Sequence, residues 1–184
     1  MKRIFFIVIL VSLILLFLNG CSTLKSVWNY MCPSKSDQVC NFTDKEVADF
    51  VARLRPVCRG NPESHYLLAC YYQDRGRHQE ALKEFNKVLS IDPRHVDAYN
   101  RMGASYDKMR DFQNAVKSYK IALNLNPSLH YVYNNLGYSY MLQDNIPDAI
   151  KSYEKAIELN GSDKQVNNNL GMAYARNKQF DLAF

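Results

Sequence analysis

With 184 residues, 47% hydrophobic and 22% charged, and only seven glycines and six prolines, the chain is neither collagen-like nor low-complexity, and it is too short for two average domains. The average conceals an asymmetry: Met1 to Gly20 holds fifteen apolar residues of twenty, whereas the remaining 164 residues carry all eighteen acids. Without Lys2 and Arg3 that larger part has 21 bases against 18 acids, a spread net charge of +3 that is not the footprint of a nucleic-acid binder.

Lys2 and Arg3 precede an apolar stretch, Ile4 to Leu18, broken only by Ser12. Fifteen residues suit the central region of a secretory signal and fall short of the roughly 20 a membrane-spanning helix needs. The run Leu18, Asn19, Gly20, Cys21 resembles the bacterial lipobox, with Asn19 departing from the usual small or branched residue. That resemblance implies a leader of residues 1–20, cleavage before Cys21, and lipidation of its thiol; two or three acyl chains would anchor stably. Ser22 follows where an aspartate would signal inner-membrane retention, so the resemblance implies the periplasmic face of an outer membrane. An uncleaved anchor with an incidental cysteine is the alternative.

Residues 21–42 show no helical or strand periodicity and read as a flexible tether. Cys32 and Cys40 fall in it, and Cys58 and Cys70 follow. In an exported protein four such cysteines suggest two disulfides in one of three connectivities, with free thiols as the alternative. Spacings of seven, seventeen and eleven intervening residues, with no CxxC, argue against zinc. In residues 43–61, Thr43 and Glu46 form a capping box, and Val47, Phe50, Val51 and Leu54 make an apolar stripe ending before Pro56. This predicts a short capping helix and a connector.

From Pro62 the chain matches itself at a shift of 34 residues, in units 62–95, 96–129, 130–163 and an incomplete 164–184. The seventh, eighth and eleventh positions read Leu68, Ala69, Tyr72; Met102, Gly103, Tyr106; Leu136, Gly137, Tyr140; and Leu170, Gly171, Tyr174. Position twenty is Ala81, Ala115, Ala149 and Ala183, and position twenty-four is Phe85, Tyr119 and Tyr153. Apolar spacings of three and four in each half predict a helical hairpin per unit. Gly103, Gly137 and Gly171 are costly inside helices, by about 1 kcal/mol each, so a close approach is expected, with the small Ala115 and Ala149 of the second helix as its partners. Asp92–Pro93 and Asn126–Pro127 should stop second helices, and Pro147 should start one.

The pattern resembles the tetratricopeptide repeat, over about two thirds of the chain. The implied fold is all-α: a solenoid of about three and a half stacked hairpins preceded by the capping helix. Because the chain stops at Phe184, early in the second helix of the fourth unit, the open end is expected either to continue in a longer product or to be covered by a second copy.

The resemblance also implies that stacked first helices present a groove through positions two, five, six, nine, twelve and thirteen. Here the fifth and sixth positions are Tyr66 and Leu67, Asn100 and Arg101, Asn134 and Asn135, Asn168 and Asn169. Side-chain amides both donate and accept, and so can pair with a peptide backbone whatever its side chains. Asn135 and Asn169 resemble the asparagine ladder of some family members; plain surface asparagines of the repeat are the alternative. Tyr131, Tyr138, Met141, Leu142 and Met172 form a candidate apolar patch for a partner. The family's carboxylate clamp is not matched. Tyr72, Tyr106, Tyr140 and Tyr174 read as packing residues, and carboxylate pairs such as Asp107 with Asp111 as solvated helix-end charges.

No catalytic motif appears, so the expectation is a scaffold without enzymatic activity or cofactor, binding a protein or extended peptide and held to the membrane through Cys21. The chain is similar to envelope lipoproteins of this repeat class that serve pilus secretin assembly, outer-membrane protein insertion or peptidoglycan hydrolases. Two rivals remain: a cysteine-based redox or metal protein, and a self-associating structural oligomer.

Overall fold

The computed structural model describes residues 61–177. The leader, Cys21, the tether with Cys32 and Cys40, the capping helix, Cys58 and the end of the fourth unit lie outside the described residues. Seven helices are present among the described residues: α1 (Pro62–Asp74), α2 (His78–Ile91), α3 (Val96–Lys108), α4 (Phe112–Leu125), α5 (His130–Leu142), α6 (Ile146–Leu159) and α7 (Lys164–Arg176). Two compact units divide the chain between Leu68 and Ala69. Of the first, only residues 61–68 are described, where the Asn61 side chain accepts the Glu63 amide at 2.9 Å to open α1.

Polar side chains at the N-caps accept the amides that helix geometry leaves unpaired. His95 accepts from the Ala98 amide at 3.2 Å, Asp111 from Asn114 at 3.3 Å, and Asp163 from Gln165 at 2.9 Å. Asn145 caps α6, and Pro147 stands in its first turn, where the missing donor costs nothing. As the prolines predict, α2 and α4 end before Asp92–Pro93 and Asn126–Pro127.

First helices end differently, and identically in three units. The amides of Arg77, Asp111 and Asn145 each reach back to the carbonyls of Tyr72, Tyr106 and Tyr140, all at 2.9 Å, while those of Gly76, Arg110 and Asp144 bond three residues back. This is the Schellman closure, which places one residue in the left-handed region. That residue is Gly76 (φ 72°) in the first unit, but Arg110 (φ 60°) and Asp144 (φ 59°) in the next two.

Helix α3 packs on α4 and α5 on α6 as hairpins, while α4 against α5 and α6 against α7 join successive units. The first helices α3, α5 and α7 are neighbours along one face. Cores form between consecutive helices: Ala115, Tyr119, Ala122, Val132 and Leu136 in one, Ile150, Tyr153, Ala156, Val166 and Ala173 in the next. Tyr106, Tyr140 and Tyr174 pack against them from partly buried positions, while Tyr119 and Tyr153 are almost wholly buried.

Those two rings correct the expectation about the glycines. A Cβ on Gly103 would sit 2.5 Å from Cε1 of Tyr119, and one on Gly137 would sit 2.7 Å from Cε1 of Tyr153. The close approach is therefore made by a ring four residues beyond the alanine: a large flat side chain lies across the helix where the glycine leaves a gap.

Candidate peptide-binding face

The asparagines of the first helices pair with one another across repeats. Asn135 Nδ2 donates to Asn100 Oδ1 at 2.9 Å, and Asn169 Nδ2 donates to Asn134 Oδ1 at 2.8 Å. In both cases the sixth position of one unit grips the fifth position of the unit before. One bond uses a fraction of an amide's capacity of two donors and two acceptor lone pairs. Asn100, Asn135 and Asn169 are partly exposed and keep polar atoms for a ligand, whereas Asn134 is buried beneath Asn169. Asn168 is exposed. Tyr66 lies on α1 in the first compact unit and is partly buried.

Position nine and the following turn supply the apolar part. Tyr138, Leu142 and Met172 are 48%, 43% and 56% exposed, among the most exposed large apolar side chains of the described residues. Met141 and Tyr131 do not join them. Met141 turns toward the α6–α7 core, and the Tyr131 hydroxyl donates to Asp97 at 2.9 Å; burial first, then that carboxylate, pushes the Tyr131 phenol up to about 12. Cys70, also at position nine, is buried in α1.

Position twelve faces the seam between repeats. Gln73 donates to the Arg101 carbonyl at 2.8 Å and to Ser105 Oγ at 3.0 Å, and accepts from the Arg101 guanidinium at 2.9 Å. Asp107 accepts from the Tyr119 hydroxyl at 2.9 Å and from Ser139 Oγ at 2.6 Å. It is buried, against the expectation of a solvated charge; Asp111, its supposed companion, caps α4. Burial pushes the Asp107 carboxyl above its ordinary 3.8, and the two hydrogen bonds and Lys108 only partly oppose this. In the third unit the pair becomes Met141 and Ala173, both packed in the apolar core. At the first two seams position twelve bonds position ten of the next unit, and at the third both positions are apolar.

Beside Asp107 a cleft of about 290 Å³ opens among Ala104, Lys108, Arg110, Phe112, Tyr138 and Leu142. Among the described residues no group of three or more His, Cys, Asp or Glu side chains is placed to hold a metal ion. The face can offer amide hydrogen bonds, apolar contact and positive charge.

The tetratricopeptide repeat profiles match residues 62–95, 96–129 and 130–163, three abutting units with the observed hairpin boundaries and more than half of the chain. The chain belongs to the tetratricopeptide repeat family. Solved structures agree on the fold. The crystal structure of MamA superposes with a TM-score of 0.69 at 23% identity, over 76% of this chain and 81% of that one. MamA from Desulfovibrio magneticus RS-1 gives 0.68 at 23% identity, over 76% and 78%. The first repeat domain of Spaghetti (RPAP3), bound to the HSP90 peptide SRMEEVD, gives 0.61 at 20% identity, over 64% of this repeat protein and 93% of that chain. No curated protein resembles the sequence closely enough to count as a relative.

Two features escaped the sequence reading although a signal for each was present. Ser105 and Ser139 recur at position ten, a core position where a hydroxyl needs a partner, and Ala173 replaces them where Met141 replaces the polar residue opposite. The asparagines likewise recur as pairs 35 residues apart, the offset at which neighbouring repeats touch.

Proposed function

We propose that this repeat protein is a lipid-anchored adaptor of a bacterial cell envelope, holding a protein partner or extended peptide along the face made by α3, α5 and α7. The carrying observation is that Tyr138, Leu142 and Met172 stand exposed on that face beside the asparagine pairs. The RPAP3 domain holding a peptide is a precedent for the fold in such a role. Anchorage rests on the lipobox-like run ending in Cys21, and the likeness to envelope lipoproteins of this repeat class supports a place in pilus secretin, outer-membrane or peptidoglycan-hydrolase assembly.

The test is crosslinking and capture of the partner from the envelope with Asn135→Ala/Asn169→Ala and Tyr138→Glu/Met172→Glu variants. Capture should fall at least tenfold in both with helicity unchanged; undiminished capture would sink the reading. Cys21→Ser should leave the membrane fraction and lose the lipid label, and a variant that stays membrane-bound without label would refute lipid anchorage.

A further inference from the structure

The turn between α6 and α7 departs from its counterparts in the two units before it. Position thirty-one is Asp92, Asn126 and Asn160, and the residue that follows is Pro93, Pro127 and then Gly161. A proline nitrogen in the chain carries no hydrogen, whereas a glycine amide can lose its proton and attack, with no side chain to shield it. Asn160–Gly161 is the sole Asn–Gly pair among the described residues.

The atoms around the Asn160 side chain favour that attack. Asn160 caps α6 and its own amide donates to the Ala156 carbonyl at 2.9 Å, while the Gly161 amide makes no hydrogen bond among the described residues. Even a Cβ added to Gly161 would find its nearest neighbour, the Ile157 carbonyl oxygen, 3.5 Å away, so the surroundings are open. The Ser162 hydroxyl donates to Asn160 Oδ1 at 2.8 Å, which draws electron density from the side-chain carbonyl and holds a donor where an oxyanion would form. Asn160 Nδ2 lies 3.3 Å from Nε2 of His130 on α5, close enough for the ring to pass a proton to a departing nitrogen. Asp163 Oδ2 stands 3.6 Å from the same ring nitrogen and pairs with the ring when it is charged.

We propose that Asn160 is a self-modification site whose slow conversion loosens α7 as the molecule ages. The Gly161 nitrogen bonds to Cγ of Asn160, the Cγ–Nδ2 bond breaks, and the proton given up by Gly161 is made good on the leaving nitrogen, through water or His130, so that ammonia departs from a cyclic imide. Water then opens the imide at Cγ to give aspartate, or at the main-chain carbonyl to give isoaspartate, in which the backbone runs through the former side chain and is longer by a carbon. That longer link falls where the Asp163 amide donates to the Asn160 carbonyl at 3.3 Å and Asn167 Nδ2 donates to the Gly161 carbonyl at 3.1 Å, the bonds that shape the entry to α7.

The test incubates the full-length chain in detergent at mildly alkaline pH and follows it by peptide mapping with mass spectrometry, which separates residue 160 from the other Asn–Gly pair, Asn19–Gly20. An isoaspartyl methyltransferase counts isoaspartate. Residue 160 should convert several-fold faster than the same pair in the free peptide Leu-Asn-Gly-Ser-Asp, and hydrogen exchange of the α7 amides should quicken in step with isoaspartate. Gly161→Pro, which restores the turn of the two earlier units, should abolish both changes. Ser162→Ala and His130→Ala should each slow conversion several-fold, whereas a merely structural loss would free the turn and speed it. In urea the His130→Ala difference should vanish, because His130 reaches the amide only in the fold. Conversion no faster than in the peptide, conversion undiminished in Gly161→Pro, parental rates in the Ser162→Ala and His130→Ala variants, or unchanged exchange of α7 after conversion would overturn the inference.

Discussion

Replacing Gly103 by alanine tests the packing of a hairpin most directly. Helix propensity alone favours the change by about 1 kcal/mol. Against it, the new methyl would lie 2.5, 2.6 and 2.8 Å from three carbons of the Tyr119 ring. That ring cannot swing away cheaply: it is 1% exposed, and its hydroxyl donates to the buried Asp107 at 2.9 Å. Overpacking of this kind costs about 1–3 kcal/mol, and loosening a hydrogen bond to a charged group about 1.5–3 kcal/mol more. After subtracting the propensity gain, the net loss should be about 1.5–5 kcal/mol. With a urea dependence of about 1–3 kcal/mol per molar, the midpoint followed by far-UV circular dichroism should fall by roughly 0.5 M or more. Gly137→Ala is the internal comparison. Tyr153 approaches almost as closely, at 2.7 Å, but no side-chain hydrogen bond among the described residues holds its hydroxyl, so the loss should be smaller, about 0–2 kcal/mol once the propensity gain is subtracted. Should Gly103→Ala unfold at the same urea concentration as the parent or higher, the ring does not set the glycine and the reasoning is wrong.

Ser139→Ala removes one of the two donors to Asp107 and should destabilise by about 1–3 kcal/mol in the same titration. The carboxyl of Asp107 has its folded pKa raised, chiefly by burial, so the folded state binds the proton more tightly than the unfolded chain. Its contribution is therefore full below the ordinary 3.8 and is lost as pH rises through the folded value; Asp107→Asn should flatten that part of the stability profile, and an unchanged slope would count against it. Ultraviolet titration should find the Tyr131 phenol ionising at about 12, and Asp97→Asn should bring it down.

The 34-residue period made the hairpins, their proline stops and the first-helix face legible, because each depends on residues close in sequence or on simple recurrence. What lay across repeats was harder to read. Position twelve sits at the edge of the helix face, and whether it meets solvent or the next unit is decided by position ten of that unit, as Asp107 with Ser139 demonstrates. The glycines were rightly tied to a close approach, but the alanines four residues short of Tyr119 and Tyr153 looked like the better match because they are small. Small opposite small is only one way to bring helices together; a flat ring over a gap is another. The asparagines were seen as ligand-binding rungs, and the structure adds that Asn135 and Asn169 also clasp the preceding unit, so their removal touches both binding and stacking.

The matched seams mean that the order of the repeats is written into the chain. Exchanging the second and third units would set Met141 against a serine and leave Asp107 facing Ala173, with one of its two hydrogen-bond donors gone. Modules that look alike by their shared period are thus not interchangeable parts, and a duplication or recombination within this gene would persist only where it kept each polar edge beside its mate.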